Sequence, residues 1–374
     1  DVSSPEGAGL YINDGKYYEN IYFLPQEIVL GTSGTSFLID TTELNRYRFV
    51  GKGDNLKVFA KRSSDPEYVE LGEVVLDKVA SNEGDAGRPS VYADNTGKAY
   101  AVWHDTGNAG KRQIYFSEYE VGVGWSTPEL IVSENFDAGH PDIAVDNEGT
   151  VYVVFQTSRS DLTDIAAIQR TESGWSDAYL ISSNIGKSMR PKIAIDTNNS
   201  VHVVWEDYRL GQPEIYYARR NSANGQWESG AFGQGDTRLS RSPAGARRPS
   251  ICTRGLSVYV AWTSEEISGR TSIKACYHTG GGNFTTDIEN TDDSTLTNWV
   301  SSAQGQTDFT VSAANAKNAD HVDITRDAAG SIVAVWEQVV DGVYQVFGRI
   351  LNSRLSFGRE IVQVTTGFRD CRFP

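Results

Sequence analysis

The sequence predicts an all-β protein, a β-propeller of about six four-stranded blades, and three observations carry that expectation. The first is self-similarity: the unit that runs from Arg190 to Trp227 recurs at a period of roughly 40 to 50 residues, the spacing of propellers and solenoids. The second is a repeated opening. Arg88-Pro89, His140-Pro141, Arg190-Pro191 and Arg248-Pro249 begin four copies, and Asp320-His321-Val322 begins a fifth. The third is an aromatic residue that follows in register and closes the second strand of each copy: Trp103, Phe155, Trp205, Trp262 and Trp336.

Within the unit, Pro191 to Ile195, Val201 to Trp205 and Glu214 to Arg219 read as strands one to three of an antiparallel meander. Branched and aromatic side chains suit a pleated surface, and the Asp, Asn and Gly residues between them tolerate sharp turns. The turn between strands one and two is Asp196-Thr197-Asn198-Asn199, matched by Asp94 to Gly97, Asp146 to Gly149 and Asp327 to Gly330, and shortened to Arg254-Gly255 in one copy. A turn at Asn224-Gly225 leads through Trp227 to a fourth strand.

Along the chain, residues 1–24 carry no clear period around Tyr11, Tyr17, Tyr18 and Tyr22 and read as an N-terminal arm or an outer strand. Residues 25–80 hold strand patterns at 35–40, 46–51, 56–61 and 68–76, forming a divergent first blade or a small separate β domain. The repeat propeller occupies 81–374, with an inserted surface loop near 280–307 rich in Gly, Thr, Asn and Asp. The chain starts at Asp1 without a methionine, which leaves both a removed leader and a fragment open. Residues 368–374 resemble the opening of another copy, which fits either closure by the N-terminus or a shortened sequence.

Composition sets further bounds. Hydrophobic residues at 39% with 36 Gly, 18 Tyr and 8 Trp suit an all-β chain with many turns, and no apolar run approaches the ~20 residues of a membrane span. A net charge of −15 argues against nucleic acid, whose phosphates require a basic surface. Cys252, Cys276 and Cys371 are expected to be free thiols, since the first two fall on strands that are not neighbours in a meander.

The turn between strands three and four reads Ser222-Ala223-Asn224-Gly225-Gln226-Trp227, Thr171-Glu172-Ser173-Gly174-Trp175 and Gly122-Val123-Gly124-Trp125, with Phe284 and Phe357 as weaker counterparts. This resembles a degenerate form of the Asp-box turn, Ser-x-Asp-x-Gly-x-Thr-Trp, of the sialidase-like (BNR-type) β-propeller repeat family. The Asp of that turn is absent from every copy here.

In a propeller the start of strand one and the loop after strand two share the axial face. That places Arg88, His140, Arg190, Arg248 and His321, joined by Arg372 if another copy opens there, on one rim with Asp105, Glu206, Asp207, Tyr208 and Glu337. His104, Gln156, Arg209, Glu265 and Glu266 fall on the same face. Guanidinium forks suit carboxylates, so the rim is a candidate binding surface for an anion or a sugar. The resemblance implies three axial arginines, a Tyr paired with an acid, and a separate Asp. The competing reading is structural: an Arg repeated in each copy would pair with a neighbouring blade's carboxylate, because a blade-to-blade contact preserves symmetry and a catalytic site breaks it.

The Asp-rich turns are four residues long, too short for a calcium loop, and the five histidines show no i, i+4 pairing, so neither metal nor cofactor is expected. The function expected from the sequence is a non-catalytic extracellular or particle-surface propeller that binds a glycan or protein partner. Its alternatives are a structural subunit of a virion or surface layer, docking through its N-terminal 80 residues, and a sialidase-like glycoside hydrolase. On the first reading the protein hydrolyses neither sialosides nor aryl glycosides, because acids in near-symmetric surroundings would not separate in pKa.

Overall fold

The computed structural model describes residues 8–13, 18–23, 27–30, 36–38, 45–52, 55–62, 66–75, 86–94, 96–106, 110–132, 137–159, 162–182, 186–228, 236–280, 299–300, 309–313, 318–327, 330–351 and 361–365. Among these residues the regular structure is entirely β. Two compact units separate: residues 1–83 with 95–99 and 117–129, and residues 84–94, 100–116 and 130–374.

In the first unit, β1 (Ala8–Asn13), β2 (Tyr18–Phe23), β3 (Glu27–Leu30) and β4 (Ser36–Leu38) form one antiparallel meander. A three-stranded sheet follows, made of β5 (Asn45–Lys52), β6 (Asn55–Arg62) and β7 (Val69–Val75). Residues 1–24 contain β1 and β2, two strands in place of the expected arm or single outer strand. The expected grouping of residues 25–80 is corrected: β4 pairs with β3 instead of completing a four-stranded sheet with β5 to β7.

Five sheets carry the repeats. The first holds β8 (Gly87–Ala93), β9 (Ala99–Asp105), β10 (Gln113–Glu120), β11 (Gly124–Trp125) and β12 (Glu129–Val132). The second holds β13 (Asp137–Val145), β14 (Val151–Arg159), β15 (Leu162–Thr171), β16 (Gly174–Trp175) and β17 (Tyr179–Leu180). The third holds β18 (Ser188–Ile195), β19 (Val201–Asp207), β20 (Glu214–Arg220) and β21 (Thr237–Arg238). The fourth holds β22 (Gly245–Arg254), β23 (Ser257–Glu265), β24 (Thr271–His278), β25 (Trp299–Val300) and β26 (Phe309–Thr310). The fifth holds β27 (Asp320–Arg326), β28 (Ile332–Val340), β29 (Val343–Leu351) and β30 (Val362–Gln363).

The first strand of each repeat sheet contacts the first strand of the next: β8 with β13, β13 with β18, β18 with β22, and β22 with β27. The apolar core lies between consecutive sheets. Val203, Trp205 and Tyr216 of the third sheet pack on Val154, Ile165 and Ala167 of the second, and Trp336 and Phe347 of the fifth pack on Tyr259, Ala261 and Ile273 of the fourth. Trp103, Phe155, Trp205, Trp262 and Trp336 are all buried on second strands. None of them ends its strand, however, since β9, β14, β19, β23 and β28 continue for two or more residues beyond. Trp205 and Trp336 stack on their ladder partners, Tyr216 and Phe347.

The repeated Arg/His-Pro pair and the repeated aromatic prove to be two halves of one feature. The pairing of β13 with β14 jumps from Gly139↔Gln156 to Asp142↔Val154, so His140 and Pro141 together oppose Phe155. The same two-against-one bulge sets Arg190-Pro191 opposite Trp205, Arg248-Pro249 opposite Trp262, and His321-Val322 opposite Trp336. The dipeptide therefore lies inside strand one, not at its opening. Proline has no N–H to lose from the ladder, and the bulged residue ahead of it turns left-handed: φ is 52° at Arg88, 49° at His140, 53° at Arg190, 55° at Arg248 and 49° at His321. Such a backbone costs about 1 to 3 kcal/mol for a residue with a side chain, so the surrounding sheet must impose it.

The strand-turn expectations are met where they are described. The Asp146 carboxylate accepts the N–H groups of Glu148 and Thr150 at 2.9 Å each, and Asp196 accepts those of Asn198 and Ser200 at 2.8 and 2.9 Å, so each Asp braces its hairpin. The turns at 122–125, 171–175 and 222–227 join strands three and four. Phe284, Phe357, Arg372 and Cys371 lie outside the described residues. Cys252 and Cys276 are free thiols. The insertion is not wholly a surface loop: β25 pairs with β24, and Trp299 is buried with its ring edge-on to Tyr217 at 5.0 Å.

Candidate functional site

The bulges fix where the rim side chains go, because the N–H that a bulge removes from the ladder needs an acceptor. The residue after the buried aromatic of the preceding sheet supplies it. Arg248 N–H donates to Glu206 Oε1 at 2.8 Å, Arg190 N–H to Gln156 Oε1 at 3.3 Å, and His140 N–H to His104 Nδ1 at 3.4 Å. A second tie lies two residues further along strand one. Asp142 accepts from Ser90 Oγ at 2.6 Å, Ile193 N–H at 2.9 Å and Lys192 Nζ at 3.3 Å, and Ser250 Oγ donates to Asp323 at 2.6 Å.

Those contacts correct the structural role expected of the arginine side chains. Arg190 pairs at 3.0 Å with Glu206 of its own sheet, whereas Arg248 does reach the next sheet, at Asp320. Arg88 is exposed, and no described carboxylate lies within ion-pair distance of it. The polar ties between sheets are thus bulge N–H groups, the Asp142 and Asp323 carboxylates and the Arg248–Asp320 pair, added to the apolar core between the sheets.

The expected rim residues divide into three groups. Arg88, His140 and Arg190 cluster closely enough that burial, and after it the charges of Arg88 and Arg190, lower the His140 pKa to about 4 and leave it neutral at pH 7. Glu206, fully buried, joins Arg190 to the Arg248 backbone and lies 3.5 Å from the Tyr208 hydroxyl. Arg247 hydrogen-bonds Tyr208 and pairs with Glu265 at 2.7 Å.

The third group is Arg248, Asp320, His321 and Glu337. Asp320 Oδ1 accepts from Thr263 Oγ1 at 2.9 Å and from His321 N–H at 2.8 Å, while Oδ2 pairs with Arg248. Burial raises the Asp320 pKa, but the Arg248 charge and these hydrogen bonds outweigh it and hold the carboxyl below its ordinary value. His321 Nδ1 lies 3.6 Å from Asp320 Oδ2 and 3.3 Å from Glu337 Oε1. The two carboxylates thus meet at one imidazole nitrogen.

Asp105 and Asp207 do not belong to this rim. Side chains alternate along a strand, so these two share the face of Trp103 and Trp205 and are fully buried there. Asp207 accepts from Trp205 Nε1 at 3.0 Å, Ser188 Oγ at 2.9 Å and the Arg209 guanidinium at 2.7 and 2.8 Å. Its pKa is lowered, with burial opposing and the hydrogen bonds and charge of Arg209 prevailing.

The sequence reading missed Asp320 as a site residue, although a signal was present. Aligning the copies on the bulge places Gly87, Gly139, Met189, Arg247 and Asp320 at one position. Opposite them stand Gln156, Glu206, Thr263 and Glu337 in the four sheets with ladder partners, and in the first sheet a Cβ on Gly87 would meet His104 at 3.2 Å. The backbone repeats there and the chemistry does not. That removes the premise of symmetric surroundings for the acids.

No family model matches the chain, and no curated protein is similar to it. Solved structures are. A protein of unknown function from Dyadobacter fermentans is 12% identical, with 76% of this chain and 84% of that one covered and a TM-score of 0.51; this likeness shows the fold. The α-L-arabinofuranosidase from Lactobacillus brevis is 12% identical over 68% of this chain and 84% of its own, with a TM-score of 0.42. The Hadza microbial sialidase Hz136 is 10% identical over 83% of this chain and 66% of its own, with a TM-score of 0.49. The expectation of a non-catalytic surface binder is corrected towards its glycoside hydrolase alternative: an arabinofuranosidase, an exo-arabinanase, a sialidase and a family-43 glycoside hydrolase are among the similar structures.

Proposed function

We propose that the protein is a glycoside hydrolase whose acids are Asp320 and Glu337. The observation that carries this reading is their placement: the two are ladder partners across β27 and β28, and of the bulge-flanking pairs described only this one sets carboxyl against carboxyl. Like charges directly opposite on a sheet are destabilising, so a fold under no other demand has reason to avoid them. Asp320, held ionised by Arg248, serves as the charged partner that stabilises positive charge developing on the sugar or activates water. Glu337 exchanges the proton with the glycosidic oxygen, and the half-exposed His321 orients both.

Arg190, Arg247 and Arg248 each already face a carboxylate, which favours an uncharged glycoside over a sialoside as substrate. A second reading has one observation in its favour: the Tyr208 hydroxyl beside Glu206 and Arg190 resembles the Tyr–acid pair of sialidases.

Release of nitrophenol from aryl α-L-arabinofuranoside, β-D-xyloside and sialoside by the purified protein tests both. Turnover of a neutral glycoside that falls ~100-fold or more in Asp320→Asn and Glu337→Gln, with Tyr208→Phe near wild type, supports the first reading. Turnover of the sialoside alone, lost in Tyr208→Phe, replaces it with the second. No turnover on any of the three, or full activity in Glu337→Gln, overturns the assignment of the acid pair.

A further inference from the structure

A cleft of about 490 Å³ opens between the second and third sheets, lined by Tyr152, Gln169, Tyr179, Arg220, Gln226 and Trp227 among others. It lies towards the opposite end of the strands from Glu206, since Arg220 pairs with Val201 at the start of β19 while Glu206 sits near its end. Its size is that of a small-molecule site, and its lining combines aromatic rings with polar side chains.

Tyr179 and Trp227, one from each sheet, lie nearly parallel, at 7° with ring centroids 6.1 Å apart. Tyr179 is 54% exposed, a large apolar surface left in water. Arg220 stands over the Tyr152 ring, with Nη1 3.5 Å from its hydroxyl, and no described carboxylate pairs with it. Gly225, at φ 67°, leaves the room this guanidinium occupies, for a Cβ there would meet Nη2 at 3.2 Å.

We propose that this cleft binds a segment of a neutral polysaccharide. Flat aromatic faces match the apolar faces of sugar rings, and the Arg220, Gln169 and Gln226 side chains are donors for sugar hydroxyls. The net charge of −15 disfavours an acidic chain, with Asp146 and Glu148 close enough to offset part of the Arg220 charge at Tyr152. Binding here is independent of hydrolysis at the rim and extends the grip on a long chain beyond the acid pair.

The test is electrophoresis of the wild-type protein through native gels containing soluble xylan, arabinan or β-glucan, with polygalacturonate as the acidic counterpart. Retardation by at least one neutral polymer is expected, with the apparent Kd raised about tenfold or more in Tyr179→Ala and Arg220→Gln. Because Trp227 also packs against the core, Trp227→Phe, which keeps a ring, is expected to retain most of the binding. Retardation by none of the neutral polymers, retardation by polygalacturonate alone, or retardation unaltered in Tyr179→Ala overturns the proposal. Retardation lost in Asp320→Asn but kept in Tyr179→Ala overturns it too, and assigns the binding to the rim.

Discussion

The third and fifth repeat sheets share one backbone and use it differently. In both, a left-handed residue and its neighbour bulge against a buried Trp, and an acid follows that Trp. In the third sheet the acid, Glu206, faces Met189 and is engaged by Arg190, Tyr208 and the bulge N–H of the fourth sheet. In the fifth, Glu337 faces Asp320, and what balances the pair is His321 with an arginine from the fourth sheet. Repetition of the frame therefore says nothing about repetition of the chemistry. One carboxylate joins sheets together, while the other, also buried, is set against a like charge beside the half-exposed His321.

Mutations can break or sharpen this contrast, and the largest expected effect tests the shared frame. Trp205→Ala and Trp336→Ala should each cost ~3 to 5 kcal/mol in urea unfolding, because each ring is fully buried between sheets. A cost below ~1 kcal/mol at either position would show that the two frames are not equivalent.

The next effect separates the acids. Glu206→Gln should cost ~1 to 3 kcal/mol, since it weakens charge-assisted hydrogen bonds to Arg190 and to the Arg248 N–H in a buried place. Glu337→Gln should be neutral or stabilising in the same measurement, because it relieves repulsion across the ladder. Equal destabilisation by the two would erase the distinction.

A smaller effect concerns acid. The Asp320 pKa is lowered in the folded protein, so its contribution to stability is complete above the ordinary carboxyl value of 3.8 and is lost as the pH falls through the folded value. Unfolding midpoints measured between pH 2 and 6 should fall less steeply in Asp320→Asn than in wild type. An identical slope would mean that Arg248 does not hold this carboxylate ionised. Smallest of all, Arg88→Ala should change stability by no more than ~0.5 kcal/mol, since its exposed side chain has no ion-pair partner among the described residues.

Much of the frame was legible in the sequence because it rests on local chemistry. Prolines and aromatics in register, with Asp-led turns between them, located the repeat sheets and their buried rings. The rim was only partly legible. Period-two alternation alone would have removed Asp105 and Asp207, which share a face with Trp103 and Trp205. The pairing of Asp320 with Glu337 required knowledge of the bulge, whose extra residue shifts the register in a way no simple period reveals. The N-terminal sheets escaped a correct division because their strands lack the marker residues that aligned the other copies, so nothing in the sequence showed that β4 leaves β5 to β7.

The bulge has a consequence for redesign. Its backbone is imposed by the buried aromatic opposite and by acceptors in the neighbouring sheet, and it tolerates both Arg and His at the left-handed position. The paired positions beside it already accept Gly with Gln, Met with Glu, Arg with Thr and Asp with Glu. They behave as cassettes on a common mount. A combinatorial library confined to those pairs would vary the reactive surface while leaving the folding information almost untouched, and a Met189→Asp exchange that adds a second acid pair, with Glu206 in the third sheet, is its simplest member.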